Sequence, residues 1–191
     1  MVRQRWAVGA RAALGLLALA AAGCGNKSAQ AENQTARAEN ETEIVKAIEK
    51  LGGSVVVDEK QPSKPVVGVN LSRTKVTDAG LVALKDLKSL RWLLLNNTAV
   101  TDAGLRELKN LKGLQALLLH DTKVTDAGLR ELKGLKSLQV LLLDNTAVTD
   151  AGLRELKELK SLQKLSLDST KVTDAGVKEL KAALPKLKIY R

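Results

Sequence analysis

The sequence predicts a solenoid, a stack of near-identical small units none of which can enclose a core alone. Two observations carry that expectation. The hexapeptide VTDAGL stands at 76–81, 100–105, 124–129 and 148–153, and VTDAGV at 172–177, so the chain repeats every 24 residues. Its apolar residues are also almost entirely Leu, Val and Ala: Phe is absent, and the aromatics are Trp6, Trp92 and Tyr190. Repeated aliphatic units suit a linear stack better than one irregular interior. At 191 residues there is room for one such domain with short appendages.

The first residues, MVRQRWAVGARAALGLLALAAAGCG, belong to a different kind of segment. Arg3, Arg5 and Arg11 make a positive start, and Ala12 to Ala22 is an uncharged apolar run ending in small residues. A spanning helix needs about 20 apolar residues, so residues 1–23 read as a secretory signal peptide. The tetrapeptide AAGC resembles the bacterial lipobox, in which signal peptidase cuts before a Cys that becomes the acylated N-terminus. The resemblance makes Cys24 the lipidated residue; Ala21 stands where that motif usually has Leu, and cleavage after Ala22 is the alternative. Cys24 is the only Cys, so no internal disulfide can form. Removing residues 1–23 takes away three Arg and no acid, reducing 31 basic and 21 acidic residues to 28 and 21. That modest excess argues against a nucleic-acid partner on charge alone.

Residues 24–42 follow as an expected flexible tether. The stretch GNKSAQAENQTARAENET contains no Leu, Ile, Val or aromatic residue and cannot bury a core. Its reach as a random chain is on the order of 25 Å. Residues 43–61 are expected to cap the stack: Ile44, Val45, Ile48 and Leu51 share a helical face stopped by Gly52, and SVVVD reads as a short strand before the break QPSKP.

From residue 62 to 191 the frame is LxxLxLxxTxVTDAGLxxLxxLxx. The units open at Val66, Leu90, Leu114, Leu138 and Leu162, and Leu187 with Tyr190 restarts the pattern one residue late as a truncated closing strand. On these residues the chain resembles the leucine-rich repeat family, in the bacterial class whose units carry VTDAGL. The resemblance implies an α/β leucine-rich repeat solenoid of five full repeats plus terminal caps, with a parallel β-sheet on the concave side and short helices on the convex side. It also marks one departure. The family's usual Asn in the turn is Thr at 74, 98, 122, 146 and 170, whose hydroxyl can do part of the same work.

The repeated hexapeptide itself reads as a strand-to-helix joint. Val100 closes the strand side of the core, Thr101 or Asp102 can cap the helix, and Ala103 and Gly104 are small because coils stack closely. The five aspartates, Asp78, Asp102, Asp126, Asp150 and Asp174, would form a ladder about 5 Å apart. Capping accounts for them without a ligand, so neither a metal nor a cofactor is expected.

Function is expected on the outward sheet residues, because side chains alternate along a strand. Trp92, Leu94, Leu118, Val140 and Leu142 would form an exposed apolar patch across three units, a candidate partner-binding surface. Beside it runs a polar row with His120, Asp144 and Asp168, and Asp121 next to them. That row is the one constellation able to do acid–base chemistry, but an open face does not enclose a substrate, and no catalytic residue is assigned. On the convex side Lys85, Lys109, Lys133, Lys157 and Lys181 form one basic row, and Lys88, Lys112, Lys136 and Lys160 another. The expected function is a non-enzymatic binding module in a bacterial cell envelope, held by its lipid and engaging a protein or other macromolecule, not nucleic acid. Gly25 after the Cys favours the outer membrane where there are two. The alternatives are a structural lipoprotein whose basic stripe meets anionic surface, and an enzyme using His120, Asp144 and Asp168.

Overall fold

The computed structural model describes residues 27–191, with side chains described from Glu39 onward. The expected signal peptide at 1–23 and the expected lipidation at Cys24 lie outside the described residues. Seven strands form one sheet in sequence order: β1 (Ser54–Val57), β2 (Val66–Asn70), β3 (Trp92–Leu94), β4 (Ala116–Leu118), β5 (Val140–Leu142), β6 (Lys164–Ser166) and β7 (Lys188–Tyr190). From β2 onward every pairing is parallel, and each partner lies 24 residues away: Leu93 faces Leu117, Leu141 and Leu165 in turn. The sequence period is therefore also the register of the sheet.

Helix α1 (Lys27–Lys50) precedes the sheet, and helices α2 (Asp78–Leu81), α3 (Asp102–Glu107), α4 (Asp126–Glu131), α5 (Asp150–Glu155) and α6 (Asp174–Ala183) form the opposite layer. Between the layers lies a continuous aliphatic core. Leu90, Leu93, Leu95, Val100, Leu105 and Leu108 of one coil have no solvent exposure, nor do Leu114, Leu117, Leu119, Val124, Leu129 and Leu132 of the next. Burying each such Leu contributes roughly 1.5–3 kcal/mol. No coil has two faces of its own to bury, so this stabilisation exists only in the stack.

The first coil is covered by α1 and β1. Strand β1 runs antiparallel to β2, pairing Val55 with Val69, while Ile44 and Ile48 of α1 are buried in the core. Gly52, at φ +83°, ends the helix in the left-handed conformation that favours Gly. Leu51, expected on the buried face, is exposed because the chain has already begun that turn.

Two further expectations change. Helix α1 starts at Lys27 rather than near Glu43, so most of the stretch read as a flexible tether is helical. Its Ala, Gln, Glu and Arg are good helix formers, and a lack of apolar residues excludes a core without excluding a helix. Glu41 also accepts from the Val66 backbone N–H (3.4 Å), tying the helix to the start of β2. At the other end Ile189, not Tyr190, points inward. The one-residue delay at Leu187 is absorbed before the strand, so Lys188, Ile189 and Tyr190 pair with Lys164, Leu165 and Ser166 in the common register.

The VTDAGL joint works between coils as well as within them. Thr101, Thr125 and Thr149 cap their helices, each hydroxyl accepting from the N–H of the Ala two residues on (3.2–3.3 Å). The aspartates reach into the next coil instead. Asp102 Oδ1 accepts the Thr125 backbone N–H (2.8 Å) and Oδ2 accepts the Thr125 hydroxyl (2.7 Å). Asp78 does the same to Thr101, Asp126 to Thr149 and Asp150 to Thr173.

Gly104 explains the remaining letter. A Cβ there would stand 2.5 Å from Asp78 Oδ1, and Gly128, Gly152 and Gly176 sit in the same way over Asp102, Asp126 and Asp150. Asp, Gly and Thr of VTDAGL are thus three parts of one intercoil clasp. Asp174 pairs with Arg191 (2.8 Å).

A double-mutant cycle tests the clasp. Gly128→Ala should destabilise by about 2 kcal/mol through displacement of the Asp102 carboxylate. In an Asp102→Ala background the same change should cost at least about 1 kcal/mol less, because the obstructing carboxylate is gone. Chemical denaturation of the four proteins measures the coupling, and additive effects would refute it.

The clasp also gives stability a pH dependence of defined sign. Hydrogen bonds from the Thr173 hydroxyl and N–H hold the Asp150 carboxyl below its ordinary value, and those from Lys157 and Arg154 do the same for Glu179. Both groups bind protons more readily unfolded than folded. Their contribution is therefore complete above the ordinary carboxylate range and is lost as pH falls through it towards the folded values. Thermal melts at pH 6 and pH 3 should show a smaller acid loss for the pair Asp150→Asn, Glu179→Gln than for the parent chain.

Candidate interaction face

The sheet register sets out the outward rows residue by residue. One row is Gly68, Trp92, Ala116, Val140, Lys164 and Lys188; the other is Asn70, Leu94, Leu118, Leu142, Ser166 and Tyr190. All five patch residues fall in these rows on the three adjacent strands β3, β4 and β5. Trp92, Leu94, Leu118, Val140 and Leu142 are half-buried rather than fully open. Strands spaced about 4.8 Å apart bring outward side chains into contact, so each covers part of its neighbour. Gly68 leaves space beside Trp92: a Cβ there would lie 3.3 Å from the indole Cε3. The result is a continuous apolar surface rather than five separate projections.

At the carboxyl ends of the strands the polar side chains bond from coil to coil. Asn96, largely buried, accepts the His120 backbone N–H on its Oδ1 (3.2 Å). Asp144 Oδ1 accepts both the Asp168 N–H (2.9 Å) and the Ser166 hydroxyl (2.5 Å). His120 Nε2 lies 3.0 Å from Asn97 Nδ2 and 3.8 Å from Asp121 Oδ2, and the Asn145 amide donates to Asp121. His120, Asp144 and Asp168 thus share a row without forming a relay. The imidazole contacts Asn97 and Asp121, while Asp144 holds the backbone of the next coil.

The adjoining row carries a backbone feature that sequence reading missed. Arg73, Asn97, Asp121, Asn145 and Ser169 all have positive φ, between 52° and 60°. Asn and Asp tolerate this left-handed conformation better than other L-residues, for which it costs roughly 1–2 kcal/mol. Three of the five places hold Asn or Asp, and that enrichment was the available signal. The conformation lets Asn97 and Asp121 donate their N–H groups to the His120 and Asp144 carbonyls (2.9 and 3.0 Å), extending the ladder past the strand. Beside it, Thr98, Thr122 and Thr146 are buried and donate their hydroxyls to the Leu carbonyls three residues back (2.6–2.7 Å). This is the work expected of Thr in place of the turn Asn.

The convex lysines are engaged in similar local tasks. Lys112 and Lys160 donate to the carbonyls of Lys109 and Lys157 (2.7 and 2.8 Å), just beyond α3 and α5. Cations at a helix carboxyl end oppose the negative pole of its dipole. Glutamates run between them in a second intercoil ladder: Arg106 to Glu131 (3.7 Å), Arg130 to Glu155 (3.8 Å), and Arg154 and Lys157 to Glu179 (3.3 and 2.7 Å). Their arginines are exposed and each pair has small individual weight, but together they neutralise part of the basic rows. Among the described residues no helix is long and apolar enough to cross a membrane.

The Leucine Rich repeat family model matches residues 158–181, one repeat length running from the end of the fourth unit into the fifth. Among solved structures the chain is similar to an internalin from Listeria monocytogenes. Identity is 24% and the TM-score 0.57, over 65% of this chain and 34% of that one. It is also similar to a leucine-rich repeat protein of Leptospira interrogans, at 26% identity and a TM-score of 0.47, over 65% of this chain and 37% of that one. The chain thus spans about a third of the length of either. No curated protein matches it. The parallel sheet in 24-residue register, the opposing short helices and the likeness to the internalin agree: the fold is an α/β leucine-rich repeat solenoid.

Proposed function

We propose that this chain is a non-enzymatic binding module, exported and lipid-anchored at Cys24 in a bacterial cell envelope, that engages a protein partner through its concave sheet face. The observation that carries the reading is the apolar surface formed by Trp92, Leu94, Leu118, Val140 and Leu142 on three adjacent strands. Contiguous apolar area on a soluble face is costly to leave in water and marks interaction sites, and Trp is a favoured anchor. A leucine-rich repeat fold suits a protein-interaction scaffold, because its sheet offers a broad, rigid surface rather than an enclosed pocket.

The anchoring part of the proposal rests on the N-terminal sequence: a positive start, an apolar run too short to span, and a lone Cys in AAGC. The outer membrane is the favoured location where a cell has two. Helix α1 would then act as the spacer between lipid and solenoid, at about 1.5 Å per residue along its helical length. The two alternatives have less support. Convex lysines paired with glutamates leave less charge for an anionic surface, and His120 faces Asn97 and Asp121 rather than Asp144 and Asp168.

The test replaces two patch residues and reads capture from a cell-envelope extract. Leu118→Glu with Leu142→Glu should abolish partner recovery at about 0.5 M salt, where exposed charge contacts are screened, while the melting temperature stays within a few degrees. Recovery equal to the parent chain rejects the face as the binding site. Cys24→Ser in the producing cell should move the protein from the membrane fraction to the soluble fraction; unchanged membrane retention rejects the anchor.

A further inference from the structure

The carboxyl border of the concave face carries charge against the sign of the chain, while Lys164 and Lys188 stand at the amino ends of β6 and β7, Lys164 over the Tyr190 ring (5.0 Å). The whole sequence carries +10, yet the outward positions at the carboxyl ends of β4, β5 and β6 hold Asp121, Asp144 and Asp168. Arg73, the base among the corresponding positions of the other coils, lies two strands from Asp121, about 10 Å by strand spacing. Lys123 and Lys171 follow in the same turns, but among the described residues neither Asp144 nor Asp168 is ion-paired. Asp144 spends one oxygen on Ser166 and the Asp168 N–H, leaving the other available, and Asp168 is exposed.

These carboxylates border the apolar patch directly. Along β5 and its extension Leu142 and Asp144 point to the same side, about 7 Å apart by strand rise. Along β6 the equivalent positions are Ser166 and Asp168. A groove with Leu118 and Leu142 on its floor and two carboxylates along one border disfavours polyanions. It complements a chain that presents an apolar stretch next to a cation.

From this juxtaposition we infer that the concave face selects a polypeptide segment in which an apolar stretch is followed closely by Lys or Arg. The apolar part lies over Trp92, Leu118 and Leu142, and the cation lies against Asp144 and Asp168. This rests on the concave-face reading above and adds the chemistry of the partner. Electrostatic complementarity of this kind sets register and specificity more than total affinity. The cation therefore decides which segments bind and in which direction they lie across the coils.

A random peptide library displayed on phage and selected on the immobilised full chain at about 50 mM salt tests the inference, with counter-selection on the Leu118→Glu, Leu142→Glu protein. Enriched sequences should carry Lys or Arg within two or three residues of a Leu, Ile, Phe or Trp cluster. A synthetic peptide of the enriched sequence should lose affinity roughly tenfold for the Asp144→Asn, Asp168→Asn protein. Changing its cation to Gln should lose a similar factor on the parent chain and little on the variant. Enrichment of neutral or acidic peptides that still depend on Leu118 and Leu142 overturns the cationic preference and leaves the apolar face standing. Enrichment indifferent to the leucine pair overturns both. Equal melting temperatures of parent and variants exclude loss of the fold as the cause.

Discussion

The contact on which this molecule depends is the hydrogen-bonded clasp from an Asp in one coil to a Thr in the next. Aliphatic burial supplies most of the stabilisation, but it is non-directional and would tolerate coils sliding or rotating against one another. The clasp is directional. A carboxylate fixed at the first turn of one helix receives both the N–H and the O–H of the following Thr, and a Gly leaves the space it occupies. Four such clasps align the helices while the strand ladder aligns the sheet, so each coil is positioned at both edges of the core.

That double alignment is what creates a surface. Strands held in 24-residue register put Trp92, Ala116 and Val140 side by side, and Leu94, Leu118 and Leu142 likewise. A slip of one residue would turn these side chains inward and expose the core leucines. The left-handed residues beyond the strands serve the same end, carrying the ladder through the turn and presenting Asp121 and its neighbours along one border. Repetition builds the frame, and the candidate surface lies at outward places where the units differ: Trp for Gly or Ala, Asp for Ser or Asn.

Much of the fold was legible because a periodic chain states its own register. The strands, the inward leucines and the outward rows followed from the period and from side-chain alternation. The misreadings share a cause. The composition of the segment before Glu43 suggests a tether because composition tells what a segment can bury; helix formation there depends on propensity, continued into the docked turn around Ile44 and Ile48. A pattern restarted one residue late at Leu187 puts Tyr190 where an inward Leu stands in other units, whereas pairing with β6 resets the frame so that Ile189 takes that place. The candidate site was legible as a list of positions but not as a surface, since half-burial of Trp92 or Leu118 comes from neighbours 24 residues away.

The sequence by itself determined the unit length, the identity of the core and which side chains leave it, because these depend on spacing along one strand and one helix. The tertiary structure decided where the aspartates go. From sequence, Asp102 could cap its own helix; Thr101 takes that role, and Asp102 is directed to Thr125 of the following coil. Contacts between residues about a full period apart depend on how coils rotate and rise in the stack. That geometry is set by the packing of all the coils together, and no single repeat contains it.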